Sequence, residues 1–332
     1  MWKFYTTPRY WPWSILGTLV ILTAVWANVQ ISVTLNEWFG SFYDSIQKAL
    51  GTPNSVTPDE FYSMIFEFLG LAGTSIVISV IFLGFLVNHW TFRWRQAISE
   101  YYQDNWHLSR EIEGASQRVQ DDTLRFGRIT EDLGVALIES ILTLIAFLPI
   151  LYTLSLNVKE IPLVGEIDSG LVWVVLTTSL IGTGILALVG RKLPGIEFDI
   201  QKQEAAYRKE LVLGEDDPKA AARPIIDDLF DNVRQIHFRA YAAYFSFNLA
   251  KWSWLQVAVL FPYLALTPTI LSGAITLGVV SQTVRAFGKV AESLQVIIRS
   301  WLQIVEWISV WKRLRGFEKK FLLNNRKETV HV

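Results

Sequence analysis

Long apolar stretches alternate with charged stretches along the whole chain. A helix that crosses a bilayer needs roughly 20 mostly apolar residues, because its backbone groups must pair internally where water is absent. Six stretches meet this requirement, at about 13–35, 65–90, 133–156, 170–190, 240–268 and 275–311. The pattern therefore predicts an all-α membrane protein, with six transmembrane helices that form a single transmembrane domain over residues 1–332.

The proline positions indicate that the helices continue past the apolar stretches. No proline lies between Pro58 and Pro149, so helix is predicted through the charged segment 91–132, with a turn at Gly114. The charged segment 191–239 repeats this plan, with its turn in the sequence GEDDPKAAARP. Twenty added residues lengthen a helix by about 30 Å. Both segments are therefore predicted to be long cytoplasmic helical hairpins that extend the transmembrane helices.

Lysine and arginine lie almost entirely on one side of the six stretches. The opposite loops hold only Lys48 and Lys159, and four more basic residues lie within stretches five and six. The remaining 24 of the 30 lie in segments 1–12, 91–132, 191–239 and 312–332. Loops rich in Lys and Arg stay in the cytoplasm. Both termini are therefore predicted to be cytoplasmic.

Composition narrows the possible functions. Hydrophobic residues make up 51% of the chain and charged residues only 18%, whereas soluble domains are about 25% charged. A net charge of −1 argues against a nucleic-acid partner. Cysteine is absent, which excludes disulfides and thiolate metal sites. The sequence has no HExxH, GxSxG or GxxxxGK[ST] motif. No catalytic residue, metal or cofactor is predicted, and the chain has no P-loop of its own to hold ATP.

Polar residues recur through the sixth stretch at helical spacing. No proline follows Pro268, so this stretch is predicted to continue unbroken into the basic C-terminal segment. Six residues fall on one broad face of the predicted helix: Arg285, Lys289, Glu292, Arg299, Gln303 and Glu306. Charges within a membrane usually face a bundle interior or a water-filled cavity. This face is predicted to line a substrate cavity, and the alternative is that it forms salt bridges between helices or subunits.

Glu139 is a further charged residue in the third stretch, within the sequence LIESILTL. A carboxyl group in a low dielectric has a raised pKa and can bind a proton near neutral pH. Glu139 is therefore predicted to carry a proton, or to form half of a buried pair beside the cavity.

Seven short segments have the same order as those of one known family. They are PWSILGT (12–18), FYDSIQKAL (42–50), FRWRQAISEYY (92–102), IEGASQRVQDDTLRF (112–126), LTLIAFLP (142–149), EAAYRKELVLGEDD (204–217) and KRLRGFE (312–318). Together they span nearly the whole chain, which resembles the SbmA/BacA family of peptide transporters. The resemblance implies a homodimer with the membrane fold of ABC exporters and without nucleotide-binding domains. Such proteins import antimicrobial peptides and peptide-like compounds through the bacterial inner membrane, driven by the proton gradient.

The resemblance also implies site residues. The family carries protons on carboxylates near the cytoplasm, and the matching positions here are Asp121, Glu131, Glu204 and Glu215. Phe147, in the matched segment LTLIAFLP, is a further candidate for the cavity. Asp121 stands where the family pattern has glutamate. About a dozen residues precede the first stretch, where close relatives have an additional membrane helix.

Two other functions remain open from the sequence. The chain could be the membrane subunit of an ATP-driven ABC transporter, whose nucleotide-binding chain is separate and docks on the inner hairpins. It could also be a peptide receptor or scaffold that transports nothing. The predicted partners are a second copy of the chain, peptide substrates and the lipid bilayer.

Overall fold

The structure is a computed structural model that describes residues 2–110, 112, 115–158, 160–162, 165–167, 169–217 and 221–330. Nearly all of these residues are helical. The helices are α1 (Lys3–Thr6), α2 (Thr18–Gly51), α3 (Pro58–Ile76), α4 (Gly84–Asp104), α5 (Trp106–Ser109), α6 (Ala115–Gln117), α7 (Thr123–Ser155), α8 (Gly170–Gly190), α9 (Leu193–Asp216), α10 (Arg223–Ala258), α11 (Phe261–Leu271), α12 (Leu277–Leu294), α13 (Val296–Arg299) and α14 (Trp301–Val330). A short antiparallel pair, β1 (Glu160–Ile161) and β2 (Gly165–Glu166), follows α7. The turn predicted at Gly114 lies outside the described residues.

Five helical segments of the described chain are long and apolar enough to cross a membrane: Pro8–Gly51, Pro58–Asp104, Ala115–Ser155, Gly170–Glu215 and Arg223–Leu271. They cover the first five predicted stretches to within one residue. π-Helical turns at Pro12–Gly17, Val77–Leu83 and Arg118–Asp122 precede α2, α4 and α7, and helix continues through all three. As the proline pattern predicts, helix extends beyond the apolar residues, to Asp104 on α4 and from Leu193 to Asp216 on α9.

The sixth predicted stretch is not among these five segments, and its helix is not continuous. The predicted unbroken helix is interrupted at Gln295, between α12 and α13, and again at Ser300, between α13 and α14. The absence of proline was therefore not sufficient to keep this helix continuous.

The chain forms two compact units. The first contains Met1–Leu176 and Pro262–Val332, and the second contains Thr177–Phe261. In the first unit, an aromatic cluster joins α1, α4, α7 and α14 through the buried side chains of Phe4, Trp94, Tyr102, Phe126 and Phe317. A separate apolar cluster packs α2 against α4. α12 packs along both α2 and α7, which brings the polar residues of the sixth stretch beside those of the third.

The start of α12 is fixed by side chains of α2. The backbone N–H of Gly278 donates to Asp44 Oδ1 at 2.8 Å, and that of Leu277 donates to Gln47 Oε1 at 2.7 Å. These bonds satisfy N–H groups that have no acceptor inside the helix. A Cβ atom at position 278 would collide with the carbonyl oxygen of Gly40 and with Asp44. Glycine is therefore required where the two helices cross.

The second unit is built on the antiparallel pair α9 and α10. The residues of α8 that belong to this unit pack closely on α10, since a Cβ atom at Gly182 would overlap the indole of Trp254. α9 and α10 carry most of the charged segment 191–239. The turn predicted between them lies partly outside the described residues.

Candidate functional site

A cleft of about 200 Å³ lies between α7 and the α12–α13 segment of the first unit. Its wall carries two acidic side chains, Glu139 and Glu292, and two basic side chains, Lys289 and Arg299. Ser140, Thr143, Ser293, Ala136 and Val296 complete the lining. The structure thus brings together four residues that the sequence analysis named as cavity candidates.

The helix interruption forms part of this cleft. Ser293 lies in the last turn of α12, where backbone carbonyls have no partner within the helix. The hydroxyl of Ser140 on α7 donates to the Ser293 carbonyl at 2.7 Å, and both residues are buried. An unpaired carbonyl in such surroundings would cost about 1–3 kcal/mol. The hydrogen bond therefore holds the end of α12 against α7, and both of its residues line the cleft.

Arg285 lies in the same helix as Lys289 and does not line the cleft. Its guanidinium carbon lies 3.2 Å from the centre of the Phe39 ring on α2, a cation–π contact. The exposed Arg285 side chain is thus stabilised by an aromatic face on a neighbouring helix.

The other three cavity candidates also lie away from the cleft lining. Glu306 on α14 is 3.6 Å from Arg125 on α7, a salt bridge between two helices. The side chain of Gln303 is exposed. Phe147 on α7 is buried in the helix packing, with 1% of its surface exposed. The sixth stretch therefore contributes to the cleft mainly through Lys289, Glu292 and Arg299.

The four candidate proton carriers have different surroundings and belong to both units. Asp121 is exposed and pairs with Arg125 at 3.1 Å. Glu131, just before the apolar part of α7, is half-buried beside the Thr91 side chain, and burial raises the pKa of its carboxyl group. In the second unit, Glu215 is exposed at the end of α9, whereas Glu204 is in contact with another titratable group.

That group is His237, which the sequence analysis did not select. Its Nε2 atom lies 3.1 Å from Glu204 Oε1, across the α9–α10 contact. The sequence shows His237 only as one of four scattered histidines. Finding its partner requires the register of the two helices, which the residue spacing alone does not give.

Asp122 is the other important residue that the sequence analysis missed. It is 1% exposed and accepts hydrogen bonds from Arg118 Nη1 at 2.7 Å and from Arg313 Nη2 at 2.8 Å. Arg313 also donates to it through Nε at 3.1 Å. Asp122 therefore connects the π-helical turn before α7 to α14, whereas its neighbour Asp121 points to the surface. The i,i+4 spacing of Arg118 and Asp122 was the available sequence signal.

A metal site does not emerge from this arrangement. Among the described residues, no group of three or more His, Asp or Glu side chains is placed to hold a metal ion. The described side chains of the cleft offer charges of both signs.

Comparison with known proteins gives a family match and several relatives. A model of the SbmA/BacA-like family matches residues 8–322. The inner membrane ABC transporter ATP-binding protein YddA of Escherichia coli (strain K12) is 24% identical over 92% of this chain and 57% of its own length. An ABC transporter ATP-binding protein of Synechocystis sp. is 25% identical over 93% of this chain and 46% of its own length. The chain thus spans about half the length of the curated relatives it matches.

Proposed function

Because this chain belongs to the SbmA/BacA-like family of membrane transporters, we propose that it imports antimicrobial peptides and peptide-like compounds across the bacterial inner membrane. The proton gradient drives this import. The active form is a homodimer with an ABC-exporter-like membrane fold. In each copy the sixth stretch forms a sixth crossing, and both termini are cytoplasmic. The observation that carries the proposal is the cleft between α7 and α12, where charges of both signs lie among membrane-spanning helices.

A peptide carries the charges that such a cleft would bind. Its amino terminus and basic side chains are cations, which the carboxylates of Glu139 and Glu292 would attract. Its carboxyl terminus would pair with Lys289 or Arg299. Charges inside a membrane protein are expensive to maintain and commonly mark a transport pathway. A cleft with charges of both signs and three hydroxyl side chains suits varied peptides better than one defined ligand.

Protons would act through the carboxylates near the cytoplasm. A proton shifts the balance between two conformations only if its affinity differs between them. One pKa unit of difference is worth about 1.36 kcal/mol, whereas a change from 1:99 to 99:1 needs about 5.5 kcal/mol. Several sites are therefore required. Asp121, Glu131, Glu204 and Glu215 supply four in each copy.

The test uses liposomes that contain only the purified protein, a labelled cationic, proline-rich peptide and an inward proton gradient, without ATP. We expect uptake that stops when a protonophore is added. Glu292→Gln removes a charge from the cleft and should reduce uptake at least tenfold. Asp59→Asn removes an exposed charge at the start of α3 and should leave uptake within twofold. Uptake that is unchanged by the protonophore, or equal uptake by both variants, would contradict the proposal.

A second function is favoured by the names of the relatives. The matched proteins of E. coli and Synechocystis are named ATP-binding proteins, and this chain covers only 57% and 46% of them. The chain would then be the membrane subunit of an ATP-driven transporter with a separate nucleotide-binding chain. Cells depleted of ATP while the proton gradient is held constant separate the two functions. Continued uptake supports the proton-driven transporter, and loss of uptake supports the ATP-driven one.

A further inference from the structure

Two hydrogen bonds between acidic and ring side chains connect α9 and α10 in a regular pattern. The first joins Glu204 to His237 at 3.1 Å, and the second joins the Tyr244 hydroxyl to Glu197 Oε2 at 3.2 Å. Glu197 lies seven residues before Glu204 on α9, and Tyr244 lies seven residues after His237 on α10. Because the helices are antiparallel, this spacing places the two bonds two helical turns apart in a single register.

The two hydrogen bonds differ in whether the ring side chain can gain a proton near neutral pH. A tyrosine hydroxyl stays protonated near neutral pH, since its ordinary pKa is about 10. Tyr244 is therefore a constant donor to Glu197. Histidine is the side chain that ordinarily changes charge between pH 5 and pH 8. With a neutral imidazole, Nε2–H can donate to Glu204, and when a second proton binds the ring, the same contact becomes an ion pair.

Water can reach this pair. The side chain of His237 is 33% exposed and that of Glu204 is 42% exposed, so both can exchange protons with solvent. Glu204 is the charged group of α9 that contacts the imidazole, and Arg208 follows it by one turn. On α10 the ring of Tyr241 lies 6.0 Å from that of His237, and Arg234 precedes His237 by one turn. The pair combines a carboxylate, an imidazole ring and access to water.

We propose that Glu204 and His237 hold one proton as a pair between α9 and α10, and that His237 is thereby a proton-holding residue of the transporter. This role rests on the proposed proton-driven import. When the pair is protonated, its ion pair strengthens the contact between the two helices, and release of the proton weakens it. The pair would thus link proton binding to the packing of the α9–α10 hairpin.

The first measurement does not depend on transport. Hydrogen–deuterium exchange of the purified protein, corrected for the intrinsic effect of pH, reports how often the backbone of α9 and α10 opens. We expect the amides near Glu204 and His237 to be several-fold better protected at pH 5.5 than at pH 8. His237→Gln retains a donor for Glu204 but does not titrate, so this pH dependence should disappear. His107→Gln removes another exposed histidine and should leave it unchanged.

The second measurement is gradient-driven peptide uptake in liposomes. His237→Gln should reduce uptake at least tenfold, and His107→Gln should stay within twofold. A Glu204→Gln/His237→Gln double variant should lose no more than either single variant, because the two residues act as a unit. The tyrosine bond provides a structural control. Tyr244→Phe removes a similar hydrogen bond but no group that changes charge near neutral pH, so it should retain uptake.

The outcomes separate the two proposals. Wild-type uptake together with normal uptake by His237→Gln would overturn the role of His237 and leave proton-driven import standing. An identical pH dependence of exchange in the wild type and His237→Gln would also overturn the pair. Absence of gradient-driven uptake by the wild type would overturn the proposed function and the transport role of the pair, while the exchange measurement would still show whether the pair binds a proton.

Discussion

Replacement of Asp122 by asparagine tests how the C-terminal helix is held. The Asp122 carboxylate is 1% exposed and accepts one hydrogen bond from Arg118 and two close ones from Arg313. Asparagine has nearly the same shape but no charge, and its amide nitrogen can only donate. The change therefore removes both ion pairs with little change in packing. Asp121→Asn is the matched control, since this neighbour makes one exposed ion pair with Arg125.

The structure sets the expected size of the effect. Breaking a buried ion pair from one side costs about 3–5 kcal/mol, because the partner charge stays behind without compensation. The side chains of Arg118 and Arg313 are 26% and 33% exposed, so water recovers part of that loss. We therefore expect Asp122→Asn to cost about 2–3 kcal/mol. The exposed pair of Asp121 is worth about 0.2–1 kcal/mol.

Hydrogen–deuterium exchange is the assay, because it measures reversible local opening and does not require the whole membrane protein to refold. A factor of ten in an equilibrium constant corresponds to about 1.4 kcal/mol. Asp122→Asn should therefore speed exchange of the backbone amides around the π-helical turn Arg118–Asp122 by about 25- to 150-fold. Asp121→Asn should speed it by no more than about fivefold.

A double variant adds a second criterion. If Asp122 and Arg313 act together, Asp122→Asn/Arg313→Gln should cost clearly less than the sum of the two single changes. Equal exchange in Asp122→Asn and Asp121→Asn, or strict additivity in the double variant, would refute the conclusion that the buried carboxylate holds α14 against the turn before α7.

Two further predictions concern the helix crossing and the half-buried acid Glu131 of the first unit. Gly278→Ala should destabilise the protein by about 1–3 kcal/mol, because the added methyl group overpacks against α2. Gly288→Ala, in open space on the same helix, should stabilise it by up to about 1 kcal/mol. Unfolding in detergent, followed by tryptophan fluorescence, compares the two variants, and a stability change of the same sign in both would contradict the reasoning. Burial raises the folded-state pKa of Glu131, so folding favours its protonated form and stability decreases as pH rises from the unfolded-state pKa through the folded-state pKa. Hydrogen–deuterium exchange near Glu131 should therefore be slower at pH 5 than at pH 8. Glu131→Gln should remove that difference, and the exposed control Asp132→Asn should retain it. A difference that persists in Glu131→Gln would show that another group is responsible.

The apolar helices were predictable because their signal is local. Apolar runs of bilayer length and a proline-free interval from Pro58 to Pro149 depend only on neighbouring residues, and the five long helices agree with them. The interruption at Gln295 was not predictable in this way. The end of α12 is stabilised by the hydroxyl of Ser140, which is 153 residues away from Ser293 in the sequence. A contact of this kind leaves no mark on the local pattern.

The site was predictable only as a set of residue types. The charges of Glu139, Lys289 and Glu292 stood out because charges are rare in apolar stretches, and the structure does bring them to one cleft. Arg285 follows the same spacing but contacts the Phe39 ring instead. A helical period predicts which residues share a face. It does not predict which neighbouring helix that face meets at each turn.

The two interruptions between α12 and α14 also determine whether a tilt of α12 is passed on to α14. A continuous helix moves as a rod, because each backbone bond ties one turn to the next. Backbone hydrogen bonds still cross Gln295 and Ser300, but their ψ angles of 0° and 8° depart from the helical value of about −42°. The first turn of α12 is held by Asp44, and α14 is held separately by Asp122. A tilt of α12 would be taken up at these two turns, and it would change the width of the cleft that α12 forms with α7.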